Sequence, residues 1–153
     1  MDIHNFIELA LLTLTPALEL RASIPYGILL AKLAWPEVLA VVVAVNAILG
    51  IALFLALGWL VRISTRVRFI KDIYMKIVAR TQRKASPLVE RYGTIGIALF
   101  IGIPLPGSGV WTGALAAYLL GMKFRKFLIA DIIGVLIAAA AVTALSLGLL
   151  NGF

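Results

Sequence analysis

Two long apolar runs without a single charge constrain this chain more than anything else in it. Val38 to Val61 passes 24 residues without Asp, Glu, Lys or Arg, and Ile132 to Leu150 passes 19, where a helix needs about 20 predominantly apolar residues to cross the hydrocarbon core of a bilayer. A soluble fold would have to cover such helices on every side. With 63% hydrophobic and 14% charged residues over 153 positions, the chain has too little polar material to do so. It therefore reads as an all-α integral membrane protein, a single membrane domain in which both runs are transmembrane helices. Asp2 and Glu8 stand where a secretory signal would carry bases, so no cleaved leader is expected. The absence of cysteine excludes disulfides and thiolate metal sites. No cofactor is expected, and His4, the one histidine, reads as a surface residue.

The charge is confined to one place. From Arg62 to Arg91 there are nine Lys and Arg (Arg62, Arg66, Arg68, Lys71, Lys76, Arg80, Arg83, Lys84, Arg91) against Asp72 and Glu90, whereas five bases and five acids balance over the rest of the chain. Within that segment Ile63, Val67, Ile70, Tyr74 and Ile77 recur at helical spacing, which predicts a basic amphipathic helix lying on the membrane surface. By the positive-inside rule this connector, 62–92, is cytoplasmic, and it separates a first half (1–61) from a second (93–153). Stacking aromatics are scarce in the segment, so no nucleic-acid partner is expected.

Each half also holds an apolar region that is broken. Leu9 to Leu18 and Ala22 to Ala31 are ten residues each, about 15 Å as helix and half of the bilayer core. Between them lie Glu19, Leu20 and Arg21, with Pro16 and Pro25 nearby. Gly93 to Met122 carries no charge but is interrupted at Ile103 to Gly109, where Pro104, Pro106, Gly107 and Gly109 cannot continue a helix. A single crossing by this second region would put Lys123, Arg125 and Lys126 outside, against the charge rule; a re-entrant hairpin keeps them cytoplasmic, with both termini outside. The halves echo one another, since Ser23 and Ser108 stand 85 positions apart and so do Asn46 and Asp131. The expected architecture is a pair of inverted repeats, each a re-entrant helical hairpin followed by a transmembrane helix, as in many transporters.

Irregular backbone at membrane depth must be buried in protein or line a wet cavity, so the two breaks should face each other. Arg21 is then a candidate fixed cation for an anionic group, with Glu19 its partner or a proton acceptor. Free N–H groups at Gly107, Ser108 and Gly109 would attract an anion at the start of a half-helix. Ser23 and Ser108 are placed to cap the half-helices that follow them. Pro104 and Pro106 would hold the hairpin tip open, and Pro25, Trp111 and Thr112 complete the expected substrate-binding set. Asp131, near the cytoplasmic end of its helix, is expected at the surface, with proton coupling as its other role; Trp35, Trp59 and Trp111 suit interfacial belts or packing. An internal Glu19–Arg21 salt bridge that merely holds the hairpin is the structural alternative. No enzyme is expected: Gly107-Ser108-Gly109 lacks the spacing of a nucleophile elbow, and no second histidine is present to act as base.

The runs LTPALELRASIPYGI (Leu14 to Ile28) and FIGIPLPGSGVWTGALAAYLLGM (Phe100 to Met122) resemble the small multidrug export family of prokaryotic membrane proteins, a family similar in turn to the DedA superfamily. The resemblance implies two facing re-entrant hairpins and a multi-pass protein of a prokaryotic cell membrane. DedA proteins carry an acid in the first hairpin and an arginine after the Pro-Gly of the second. Here the arginine, Arg21, lies in the first, and Val110, Trp111 and Thr112 come after the second. The function this implies is transport or flipping of an amphipathic anionic molecule among the membrane lipids, such as a polyprenyl phosphate or phospholipid. Proton-coupled export of small cationic drugs or solutes is the alternative, with a non-transporting scaffold as a third class. A chain this small is expected to work as a homodimer.

Overall fold

The computed structural model describes residues 2–16, 18–64, 91–104 and 107–151, the side chains of 60–64 and 151 excepted. The expected amphipathic helix of the connector lies outside the described residues apart from its two ends. In chain order the elements are α1 (Ile3–Leu14), α2 (Glu19–Pro25) continuing as a π-helical segment (Tyr26–Leu30), α3 (Trp35–Ser64), α4 (Thr94–Gly102), α5 (Val110–Leu119) and α6 (Phe124–Asn151). No strand occurs among the described residues.

The ends of these helices follow from local chemistry. Thr15 precedes Pro16 and is extended, with φ −71° and ψ 124°, because the proline ring disfavours helical backbone in the residue before it. The break therefore falls at Thr15 to Leu18, not at Glu19 to Arg21 as the sequence suggests, and Glu19, Arg21 and Ser23 all ride on α2. Pro25 does not stop that helix. It lacks an N–H, and the chain widens into π geometry just after it, with the Ala31 N–H bonding to the Tyr26 carbonyl at 2.9 Å. Pro36 and Glu37 sit in the first turn of α3, where a missing N–H costs nothing and a negative charge is favoured. At the end of α5, Gly121 takes φ +68°. The Met122 N–H then bonds to the Ala117 carbonyl at 2.9 Å and the Gly121 N–H to the Tyr118 carbonyl at 3.0 Å, a Schellman closure.

Helix α3 has 30 residues and α6 has 28, about 45 and 42 Å long, enough to cross a bilayer with turns to spare. Their membrane-compatible stretches are Trp35–Trp59 and Phe124–Leu150. The four short helices are each too brief to span. Large apolar side chains lie on the outer surface as well as in the core, and several polar ones are buried. Ile48, Leu55, Leu136 and Leu145 are exposed while Thr13, Glu19, Ser23, Asn46, Asp131, Thr143 and Ser146 are buried, as a solvent of lipid tails requires.

Helix α6 is the centre of the packing. It lies along α4 more extensively than any other two elements meet, and it also touches α2, α3 and α5. Small residues permit the close approach to α4: a Cβ on Gly134 would come 2.7 Å from Ile101 Cβ and 2.8 Å from the Ala98 carbonyl oxygen. At the other contact, Phe54 of α3 stacks on Phe127 of α6 at 4.5 Å and meets Tyr118 of α5 edge-on at 5.9 Å.

Candidate functional site

The start of α2 and the start of α5 meet, 91 residues apart in sequence, through one carboxylate. Glu19 is only 3% exposed, and it accepts hydrogen bonds from the backbone N–H of Val110 at 3.1 Å (Oε2) and of Trp111 at 3.2 Å (Oε1). Those are orphan donors of the first turn of α5, at the positive end of its dipole, so Glu19 caps a helix of the other half. Three features of the chain make this possible. Glu19 adopts φ +47°, a strained conformation for a non-glycine residue, and it holds the first residue of α2 in place. Gly109 adopts φ +118° at the base of α5, which a side chain rarely tolerates. A Cβ on Gly109 would also stand 2.5 Å from Glu19 Oε2.

Beside this cap, the half-buried Arg21 crosses to the second turn. Its Nη2 donates to Ser108 Oγ at 3.0 Å and to the Ile103 carbonyl at 3.3 Å, and Ser108 Oγ donates to the same carbonyl at 2.7 Å. The guanidinium thus bridges both ends of the Ile103 to Gly109 turn, satisfying backbone that apolar surroundings would penalise.

Of the residues the sequence singles out, Glu19, Arg21, Ser108, Gly109 and the backbone of Trp111 converge. The others stand differently. Ser23 caps nothing: it lies inside α2, fully buried, donating to the Glu19 carbonyl at 3.1 Å and accepting from Thr13 Oγ1 at 2.8 Å. Because α2 begins at Glu19, Ser23 comes too late to be a cap and instead ties α1 to α2. Ser108 is not the cap of α5 either. The cap position is Gly109, and the capping carboxylate arrives from Glu19. The sequence predicts anion-attracting N–H groups at Gly107, Ser108 and Gly109; at the start of α5 those of Val110 and Trp111 are occupied by Glu19. Pro104 and Gly107 are exposed at the turn, Pro106 lies outside the described residues, and Pro25 is half-buried in α2. Thr112 is half-buried, its hydroxyl 3.4 Å from the Gly109 carbonyl. Trp35 and Trp59 are exposed, as interfacial residues would be, and so is His4, whose Nε2 lies 3.0 Å from Glu8.

Asp131 corrects a sequence expectation. It is fully buried, not at the surface, because α6 begins seven residues earlier at Phe124 and turns Asp131 toward α3. There it faces Gly50, whose missing side chain makes the room. Three participants escaped sequence reasoning: Thr13, the backbone of Val110, and Gly50. Gly50 had a usable signal, since it stands one helical turn after Asn46 in an otherwise aliphatic run.

No match emerges among curated proteins or solved structures. The family model for "Putative small multi-drug export protein" matches residues 19–141, a stretch that begins at the capping glutamate and includes the turn between α4 and α5, all of α3 and most of α6. That description points to export across a membrane, not to catalysis. The chain belongs to the small multi-drug export protein family.

Proposed function

We propose that this family member moves an amphipathic anionic molecule, with a phosphate-bearing lipid as the best chemical fit, through the contact between Glu19, Arg21 and the start of α5. The observation that carries this reading is the position of the Glu19 carboxylate. It is an anion seated on two backbone N–H groups at a helix start, with an arginine side chain alongside, and a phosphate asks for the same donors. Glu19 then acts as an internal stand-in that a substrate headgroup displaces, while the acyl or prenyl tail stays among the exposed apolar residues of α3 and α6.

The architecture we infer around this site is a pair of inverted repeats whose short helices enter from opposite faces and return. The packing favours it, because the two halves pair alike. The first short helix of each half, α1 or α4, packs on its own long helix. The second, α2 or α5, packs on the long helix of the other half. A homodimer would complete a path that 153 residues can scarcely enclose.

The test is translocation of fluorescent phosphatidylglycerol in reconstituted vesicles, read by dithionite quenching. Arg21→Lys is expected to insert and assemble normally but to lose most of the translocation, since a point charge cannot reproduce the forked contacts of a guanidinium. Wild-type-like transport by a Glu19→Gln, Arg21→Met double variant would leave the pair a purely structural bridge. The family description favours a second reading, export of small cationic drugs or solutes with Glu19 as the acid that engages them. Efflux of ethidium from the same vesicles, abolished in Glu19→Gln with no lipid translocation by the wild type, would select it.

A further inference from the structure

The long helices bury a second polar cluster that the contact at Glu19 and Arg21 leaves unused. Asp131 on α6 and Asn46 on α3 are each 0% exposed. Both carboxylate oxygens of Asp131, and both Oδ1 and Nδ2 of Asn46, lack a hydrogen-bond partner among the described residues. Gly50 admits the acid: a Cβ there would collide with Asp131 Oδ1 and stand 2.6 Å from its Cγ and Oδ2. Asn46 and Gly50 are one turn apart on α3 and so share the face that meets Asp131. An acid and a glycine notch therefore meet between the two long helices, with a buried amide one turn along the same face of α3.

Packing alone does not explain such a cluster. Burying a polar group without a partner costs several kcal/mol, and a lone carboxylate costs far more, so a structural role would have been met better by leucine or alanine. The surroundings hold little to neutralise it. Helix α2, which packs on α6, brings Glu19, a charge of the same sign as Asp131, together with Arg21, which is engaged at the Ile103 to Gly109 turn. Helix α3 has no titratable residue between Glu37 and Arg62, and α4 has none. Helix α5 has only Tyr118, packed against Phe54. The π-helical segment has Tyr26, bonded to Glu8 at 2.5 Å. On α6 itself Arg125 and Lys126 are exposed, near its start.

We propose that Asp131, seated in the Gly50 notch and faced by Asn46, is a proton-binding site distinct from the substrate contact and linked to it through Glu19. The carboxylate takes a proton from hydronium, giving the neutral acid and water, and the acid O–H donates to Asn46 Oδ1. Release returns the proton to water. When an anionic headgroup takes the Val110 and Trp111 N–H groups, Glu19 moves off them and the field it exerts at Asp131 changes. Substrate and proton then alter each other's binding, as two coupled sites must. Only this linkage rests on the transport reading; the proton site stands without it.

Infrared difference spectra of the full-length protein in lipid, recorded between acidic and alkaline pH, test the site without any substrate. The expected result is a carboxylic-acid carbonyl band that titrates, shifts in heavy water, disappears in Asp131→Asn and moves in Asn46→Leu. A band that persists in Asp131→Asn, or none in the wild type, overturns the proposal; if Asp131→Asn fails to assemble, an unmoved band in Asn46→Leu does the same. In vesicles, an imposed pH gradient is expected to speed translocation of fluorescent phosphatidylglycerol several-fold in the wild type and not in Asp131→Asn. Acceleration by a sodium gradient with no response to pH would overturn the proton as the ion. An acid band assigned to Asp131 in a protein that moves no lipid sustains the proton site and removes the transport reading alone.

Discussion

Gly109 is the residue where backbone and site constrain each other most tightly. Alanine there faces both φ +118° and a Cβ 2.5 Å from the Glu19 carboxylate, whereas Gly121 has φ +68° with nothing within 4 Å of a Cβ. Gly121→Ala should therefore cost only the left-handed penalty of about 1–2 kcal/mol. Gly109→Ala should cost clearly more and loosen the Glu19 cap. Thermal unfolding of the two variants in detergent measures the difference, and equal losses would mean that Glu19 does not press on this position. Glu19 itself yields a second prediction. Glu19→Ala uncaps two donors, one buried and one half-buried, each charge-assisted bond being worth roughly 1.5–3 kcal/mol, so unfolding should come at markedly lower temperature. If the carboxylate is a stand-in for a headgroup, added phosphatidylglycerol should restore this variant more than it stabilises the wild type; equal shifts would speak against displacement.

The interlocking of short and long helices is a property of the elements. Gly134→Ala would drive a Cβ to 2.7 Å from Ile101 and 2.8 Å from the Ala98 carbonyl, and overpacking of this kind costs typically 1–3 kcal/mol. Gly148, also on α6, meets nothing within 4 Å, so alanine there should be neutral or stabilising by up to about 1 kcal/mol. Comparing the midpoints of both variants isolates the α4–α6 contact from helix propensity. At this scale the sequence was informative about where helices stop. The Pro/Gly-rich Ile103 to Gly109 turn interrupts the chain as its chemistry demands, whereas the first break, read at Glu19 to Arg21, falls at Thr15-Pro16. It was silent about the widening after Pro25, because a π-helical segment absorbs a missing donor and no residue pattern announces it. It also placed the start of the last helix too late, since a charge-free window ends at Asp131 although charged residues join a first turn freely when they stay exposed.

The whole molecule joins two halves through partners about 90 residues apart, and the charge distribution predicts its orientation in a membrane. If the short-helix pairs enter and return as proposed, position 124 lies on the cytoplasmic side. A Phe124→Cys variant, in a chain without native cysteine, should then label from that side only; labelling from outside would defeat the re-entrant arrangement of the second half. Cysteines at Ala22 and Ser108 should join through a short crosslinker, since Arg21 already reaches Ser108 at 3.0 Å. Failure to crosslink in an assembled protein would separate the two turns.

By itself the amino-acid sequence determined the solvent, the count of long apolar helices and the kinds of residue at the breaks, because apolar run length and proline chemistry act locally and need no neighbour. The convergence of Glu19 and Arg21 with the second turn was foreseeable from the need to satisfy backbone away from water. Which groups pair there was decided by tertiary structure alone. Glu19 capping α5, Arg21 spanning Ile103 and Ser108, Ser23 turned to Thr13, and Asp131 set against Gly50 depend on the angle and register at which separate helices pack. Those quantities are set by close contacts such as Gly134 on Ile101, and no periodicity within a single segment encodes them.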